Sequence, residues 1–299
     1  MLKHTLLLYI VVAVALCGCG ASKKLVAERQ TANRLFYEKK YDSAATAFEN
    51  IIRHYEDKNI SAPTDVYASA GKSLYYSGKQ DEGIELLNKA TSKADYDDEL
   101  TLIMKIKYYG GKDNHTKELD NLEKYQNMYR NGDEIQYVSI RLLKRYMQMN
   151  EYAKAQKAYE QIKDPEASEI ELMELYHTVL TKNGQKDKAD LVAQKIFNAD
   201  PTNFIGLSYT ARKTFDHAET AYVAAIKEYE AKKTNAAYRT MVQKTKPLIE
   251  EFKKAKTLYT KLYNLYKRPV DAEILSRIYT RLNDKKNAAT YAKLAKSQK

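Results

Sequence analysis

The feature that most constrains this chain is a pattern that returns along nearly its whole length. Tyr41-x-x-Ala44-x-x-x-Phe48-x-x-Ile51 recurs as Tyr152-x-x-Ala155-x-x-x-Tyr159-x-x-Ile162 and as Phe252-x-x-Ala255-x-x-x-Tyr259-x-x-Leu262. Looser copies are Gly83-x-x-x-Leu87-x-x-Ala90, Ala189-x-x-x-Ala193-x-x-Ile196 and Ala288-x-x-x-Ala292-x-x-Ala295. Offsets of three and four put these residues on one face of an α-helix, and the small first member lets a neighbouring helix approach closely. A second apolar helix precedes each copy, as in Tyr67-x-x-x-Gly71-x-x-Leu74 before Gly78. The predicted unit is therefore helix-turn-helix. Ten Gly and five Pro in 299 residues also starve a β-rich fold of turns. At 44% hydrophobic the chain has enough apolar residues for a core. The glycines are expected mostly at the repeat turns.

This pattern resembles the tetratricopeptide repeat, whose period is about 34 residues. Ala155 and Ala189 stand 34 apart, and Asp200-Pro201 closes that unit where the family usually has its proline. Between Gly83 and Ala155 there is room for one degenerate unit around Leu119. The chain has no Trp, and Gly83 stands where the family has alanine. The resemblance covers residues 28–299 and implies an all-α, tetratricopeptide-like helix-turn-helix solenoid. Its repeats would run over 28–203, with an enlarged basic repeat and a terminal repeat over 204–299. In the enlarged repeat, long helices are expected over Phe215–Gln243 and Leu248–Lys267, with Pro247 interrupting between them.

The first residues read as an address. Lys3 and His4 precede the uncharged run Leu6–Leu16, after which comes Leu16-Cys17-Gly18-Cys19. The run is shorter than the ~20 residues that span a bilayer comfortably. Leu-Cys-Gly-Cys resembles the lipobox of bacterial lipoproteins. That resemblance implies a signal peptide over 1–18, a lipidated tether over 19–27 and diacylglycerol on the Cys19 sulfur, with acyl chains of the palmitate type. A signal-anchor and an ordinary signal peptide are the alternatives. Bulky Leu16 makes Cys17 the poorer lipidation site. Gly20 is not the aspartate that holds many such proteins in the inner membrane, and Gly20-Ala21-Ser22-Lys23-Lys24 lacks an acidic cluster. The expected place is the periplasmic leaflet of an outer membrane.

Chemistry is sparse. Histidines stand singly at 4, 54, 115, 177 and 217, with no His-x-x-x-His or Glu-x-x-His pair to hold a metal on one helical face. There is no Gly-x-Ser-x-Gly elbow, P-loop or dinucleotide fingerprint. Neither cysteine would remain a free thiol if the lipobox reading holds. No enzyme, cofactor or metal site is expected.

Binding is the remaining class. In tetratricopeptide proteins the first helix of each unit lines a concave groove. Carried over by register, that places Arg29, Asn33 and Tyr37, then Lys72 and Tyr76, then Lys144 in the groove. Arg29 and Asn33 fall where carboxylate-clamp members hold a peptide's C-terminus, but Ser69 and Thr101 stand where the clamp wants Asn and a basic residue. The 26 tyrosines, including Tyr75-Tyr76, Tyr108-Tyr109 and the series Tyr259, Tyr263 and Tyr266, fill inter-helix positions or line the groove. Charge is uneven: residues 227–268 hold 12 Lys+Arg against 4 Glu, whereas 20–226 hold 30 basic and 32 acidic groups. The basic end, with Lys244, Lys246, Lys253, Lys254 and Lys256, suits an acidic partner such as anionic lipid, an acidic glycan or an acidic protein tail. Nucleic acid is not expected for an exported chain. The expected function is a membrane-tethered scaffold or adaptor for another envelope protein, as in outer-membrane assembly or protease-adaptor lipoproteins. A glycan- or nutrient-binding lipoprotein is the alternative, against which the lack of Trp counts.

Overall fold

The computed structural model describes residues 23–94, 97–162 and 170–297; Cys19 and the expected signal segment lie outside them. Among the described residues every regular element is a helix. In chain order they are α1 (23–37), α2 (Tyr41–Glu56), α3 (Thr64–Tyr76), α4 (Gln80–Ala94), α5 (Glu99–Gly111), α6 (His115–Met128), α7 (Ile135–Gln148) and α8 (Tyr152–Tyr159). They continue as α9 (Ile170–Lys182), α10 (Lys186–Ala199), α11 (Phe204–Lys232), α12 (Asn235–Thr245), α13 (Leu248–Tyr266), α14 (Pro269–Arg281) and α15 (Lys285–Ser297). Two compact units are formed, Met1–Arg145 and Tyr146–Lys299.

The repeat is carried by one turn used again and again. Lys39, Gly78, Asp113, Asn150, Gly184 and Asn283 all have positive φ and each ends the first helix of a hairpin. After each, the next backbone N–H bonds the carbonyl five residues back: Lys40 to Leu35, Lys79 to Leu74, Asn114 to Tyr109, Glu151 to Tyr146, Gln185 to Leu180 and Asp284 to Tyr279, all at 2.8–3.0 Å. This is the Schellman closure, which satisfies helix-end carbonyls and reverses the chain in a fixed geometry. Four residues further on comes the small residue of the sequence pattern: Ala44, Gly83, Ala155, Ala189 and Ala288. The architecture is thus a tetratricopeptide-like array of helix hairpins.

Glycine does other work than expected. Of those described, Gly78 and Gly184 occupy left-handed turn positions, where a side chain is disfavoured. Gly71 and Gly83 instead sit where α3 and α4 cross, and a Cβ on either would lie 2.7 Å from the other's carbonyl oxygen. Lysine, Asp and Asn hold most of the turns because the Schellman hydrogen bonds fix a conformation those residues tolerate at modest cost.

The degenerate unit is α5/α6, and Glu118 occupies the slot that elsewhere holds Ala or Gly. It is fully buried (0% exposed) and accepts hydrogen bonds from Arg141 (Nε, 2.8 Å) and Arg145 (Nε, 2.7 Å) on α7. A buried carboxylate is tolerated only when it is paired in this way. Below it, Leu122 and Tyr125 continue the apolar face, both buried.

The enlarged repeat departs from the predicted boundaries. The helix expected over Phe215–Gln243 is two helices, and the first begins eleven residues earlier, at Phe204, where the Asn203 side chain caps Ile205 N–H at 2.9 Å. It ends at Lys232 because Lys233 turns left-handed (φ 42°) and the Thr234 hydroxyl caps α12 by accepting from Ala237 N–H at 3.1 Å. The interruption at Pro247 stands, and α13 ends at Tyr266. The result is one long hairpin: α11 runs out, and α12 and α13 return. Aromatic pairs mark the antiparallel register: Phe204–Tyr266 at 5.0 Å, Phe215–Tyr259 at 6.1 Å, Tyr222–Phe252 at 5.9 Å and Tyr229–Tyr238 at 5.8 Å. The base of this hairpin packs with α14 and α15 in a core that includes Phe252, Tyr259, Leu262, Leu275 and Ile278.

Candidate interaction surface

In the first unit, the first helices of successive hairpins are joined by a ladder of ion pairs. Arg29 on α1 pairs with Asp65 in the first turn of α3. Lys72 on α3 pairs with Asp98, the residue that caps α5. Lys107 on α5 lies 3.9 Å from Glu134, just before α7. Each rung runs from the body of one helix to the start of the next, so acid at a helix N-terminus is also favoured by the helix dipole. Two of the expected groove residues, Arg29 and Lys72, are therefore engaged in holding hairpins together. Burial is the largest single influence on Asp98 and pushes its carboxyl up, but Lys72 and Thr101 together outweigh it and hold the group below its ordinary value.

Tyr37 and Tyr76, by contrast, come together. Arg29, Asn33 and Tyr37 follow one another at four-residue steps along α1, and Tyr37 ends the helix 82% exposed. Phe36 lies 6.1 Å from both Tyr37 and Tyr76, and Tyr41 stacks on Tyr76 at 4.9 Å with the rings 25° from parallel. Phe36 also meets Tyr41 edge-on at 5.5 Å. Tyr76 remains 43% exposed. Partial burial, then the neighbouring Tyr41, raises the Tyr76 phenol above its ordinary value, so it stays protonated and can donate. The register argument reached Tyr37 and Tyr76; it missed Phe36 and Tyr41, which join them. Asn33 is half-buried on the same helix, and Lys144 is exposed on α7, two hairpins beyond α3.

The positions that would continue a carboxylate clamp hold Ser69 and Thr101. Thr101 is buried, with its N–H bonded to Asp98 at 2.8 Å, and Ser69 gives its carbonyl to the Ser73 hydroxyl at 2.8 Å.

Behind this face the unit is stiffened by buried polar groups. Asp97 is nearly inaccessible and is approached by Lys105 at 3.5 Å and by Lys124, while Tyr129 donates to its carbonyl at 2.9 Å. Burial lowers the Lys105 ammonium below the usual lysine value, with Asp97 opposing. Tyr125 donates to Glu99 and accepts from Glu134 N–H at 3.1 Å; burial first, then the bond to Glu99, raises its phenol.

In the second unit the predicted basic patch is distributed. Lys244 on α12 pairs with Glu228 at 2.5 Å, and Lys253 on α13 with Glu250 at 2.7 Å. Lys246 and Lys254 are exposed, while Lys256 is half-buried with its ammonium 5.9 Å from the Tyr279 ring. Lys254 and Lys256 point about 160° apart around α13. The most organised charge here is instead Glu219, which accepts from Arg281 (2.7 and 2.9 Å) and Arg277 (3.1 Å). Those bonds, Arg281 first, hold Glu219 below the ordinary carboxylate value.

Among the described residues no cluster of three His, Cys, Asp or Glu could hold a metal, and no helix is long and apolar enough to cross a membrane.

No protein-family model and no curated protein matches the chain. Solved structures similar to it include a candidate protein-binding protein from Bacteroides ovatus, at 14% identity over 74% of this chain and 98% of that one, TM-score 0.46. A tetratricopeptide repeat protein from Parabacteroides merdae is similar at 14% identity over 91% and 92%, TM-score 0.41. The C-terminal part of a TPR repeat-containing protein from Cytophaga hutchinsonii is similar at 15% identity over 88% and 99%, TM-score 0.38. The fold assignment rests on the chain's own recurring turn and helix pairs.

Proposed function

We propose that the chain is a non-enzymatic scaffold, tethered to a membrane through lipidated Cys19, that holds another cell-envelope protein on the first-helix face of its N-terminal repeats. The observation that carries this reading is the ring cluster Phe36, Tyr37, Tyr41 and Tyr76, with Tyr37 82% exposed beside an ion-paired helix ladder. Clustered aromatic rings lose little conformational entropy on binding and supply the anchors of protein interfaces. The ladder pre-organises them, which reduces the cost of association. The lipobox-like sequence supports the tether, and Gly20 in place of aspartate together with the lack of an acidic cluster over 20–24 supports the periplasmic leaflet of an outer membrane.

A photo-crosslinking residue at Tyr37 in the full chain, in cells, tests the binding. The expected result is one captured envelope protein, lost when Tyr76→Ala is added and reduced when Cys19→Ala releases the chain from the membrane. Capture that is indifferent to Tyr76→Ala, or none at all, contradicts it. Retention of the chain on a saccharide array through Tyr37 would replace the protein ligand with a glycan.

A further inference from the structure

We propose that the tip of the long hairpin, residues 223–246, docks on an anionic lipid surface. By the aromatic register Tyr222 lies opposite Phe252 and the start of α13 at Leu248 lies opposite Ile226, so α11 continues about six residues, roughly 9 Å, past its packing partner. There α11 is accompanied by α12, which packs on it and meets α13 where the two adjoin. None of the residues of α12 is buried, and Ala225, level with the start of α13, is the last buried residue of α11. Between the two helices Ala225, Ala236, Ala237 and Met241 line an open cleft of about 550 Å³, and the Tyr229 and Tyr238 rings meet across them. Such a tip adds little to the core of its unit, yet the chain builds and caps it.

Its outward face has a definite composition. At 100° per residue, Ala236, Ala237, Thr240, Met241 and Lys244 turn toward α11, where they line the cleft or meet Glu228. The opposite face of α12 carries Val242 (40% exposed) beside Arg239 and Lys246, both exposed, and at its flank Tyr238 meets the Tyr229 ring edge-on at 5.8 Å while remaining 52% exposed. Lys232 and Lys233 extend the basic set at the turn, and the whole tip holds six Lys+Arg against two Glu. An aliphatic side chain and a half-exposed tyrosine edge set among basic residues suit the boundary between headgroups and acyl chains. The rings reach the boundary while the cations meet anionic headgroups. An acidic protein tail would use the charges but would leave Val242 and the exposed edge of Tyr238 uncovered, so the lipid surface is the better match.

This proposal is independent of a lipid on Cys19 and of the aromatic cluster on α1, α2 and α3. The chain contains no tryptophan, so Tyr238→Trp places a single fluorophore at the tip of the full-length protein. On vesicles rich in phosphatidylglycerol, Trp emission should shift to the blue and be shielded from acrylamide. Both effects should vanish in about 1 M salt, where screening acts over ~3 Å. Phosphatidylcholine vesicles should give neither effect, even if the N-terminus holds the chain on them. Adding Lys232→Gln, Lys233→Gln, Arg239→Gln and Lys246→Gln should raise the phosphatidylglycerol concentration needed by at least about tenfold. These four side chains are exposed, and an unchanged thermal melt checks that the variant is folded. Emission that is the same on phosphatidylglycerol as in buffer overturns the proposal, as does an equal shift on phosphatidylcholine. A shift that survives the four substitutions, or one produced by polyglutamate and not by vesicles, overturns it as well.

Discussion

Two hairpins of this chain show what the repeat needs and what it can do without. In α3/α4, Val66, Tyr67, Ala70, Gly71 and Leu74 are buried, the helices cross at Gly71 and Gly83, and the turn closes with a Schellman bond at Gly78. In the tip made by the end of α11 and α12, Ala225 alone is buried, and Lys233 closes the turn with a single bond from its N–H to the Tyr229 carbonyl. Both are capped, antiparallel helix pairs. The difference is neighbours: α3/α4 lies against α2 and α5, whereas among the described residues α12 packs mainly on α11 and touches the adjoining α13. Stability in such arrays belongs to the interfaces between hairpins, so a hairpin extended past its neighbours keeps its shape but loses its share of the core.

The largest expected contrast is therefore in the core. Leu74→Ala in α3 and Phe252→Ala in α13 should each cost about 3–4 kcal/mol in denaturant unfolding, whereas Tyr238→Ala in the tip should change stability by no more than about 0.5 kcal/mol. A large loss at Tyr238 would show that the tip is a structural element of its unit.

Glu118 gives the next effect. Glu118→Gln should destabilise by about 3 kcal/mol because it strands Arg141 and Arg145 beside a neutral group. Adding Arg141→Leu and Arg145→Leu should recover most of it. Failure to recover would mean that the charge itself, and not its pairing, suits this slot.

Glu219 supplies a pH signature. Its folded value is lowered by Arg281 and Arg277, so the carboxylate binds protons more weakly folded than unfolded. Its contribution is complete above the ordinary value of 4.5 and is lost as pH falls through the lowered folded value. The stability difference between the chain and Glu219→Gln should shrink as the medium is acidified through that range, and a pH-independent difference would contradict it. The exposed Lys244–Glu228 pair in the tip should leave no comparable mark on stability.

The smallest effects lie in the turns. Gly78→Ala should cost about 1 kcal/mol, since φ is +93° there and no neighbouring atom crowds the site. Lys233→Gly should gain at most a few tenths of a kcal/mol, because relief at φ 42° is offset by a freer unfolded chain.

Much of the array was legible because the small-residue slot and its apolar partners repeat at helical spacing, and the turn sits at a fixed offset before them. Glu118 hid one copy: a buried carboxylate in a slot for alanine reads from sequence as a surface residue, and only the arginines of the next helix make it intelligible. The break at Lys233 had no glycine to announce it, although Thr234 carried the capping signal and Pro247 marked the second break. At the candidate site, register along α1 and α3 reached Tyr37 and Tyr76. It could not show that Arg29 and Lys72 are held by Asp65 and Asp98, because those pairs depend on how adjacent hairpins stack. Nor could the basic count of the last quarter separate Lys256, leaning toward Tyr279, from Arg239 on the outward face of α12.

Amide hydrogen exchange tests most directly the claim that this is a stacked hairpin array with one tip reaching past its neighbours. The amides of α3, α4 and α13 should be protected to near the global stability, while those of 236–245 exchange through local opening orders of magnitude faster. On vesicles rich in phosphatidylglycerol, 236–245 alone should slow. Protection of α12 equal to that of α13 in solution, or no slowing on the vesicles, would contradict the account.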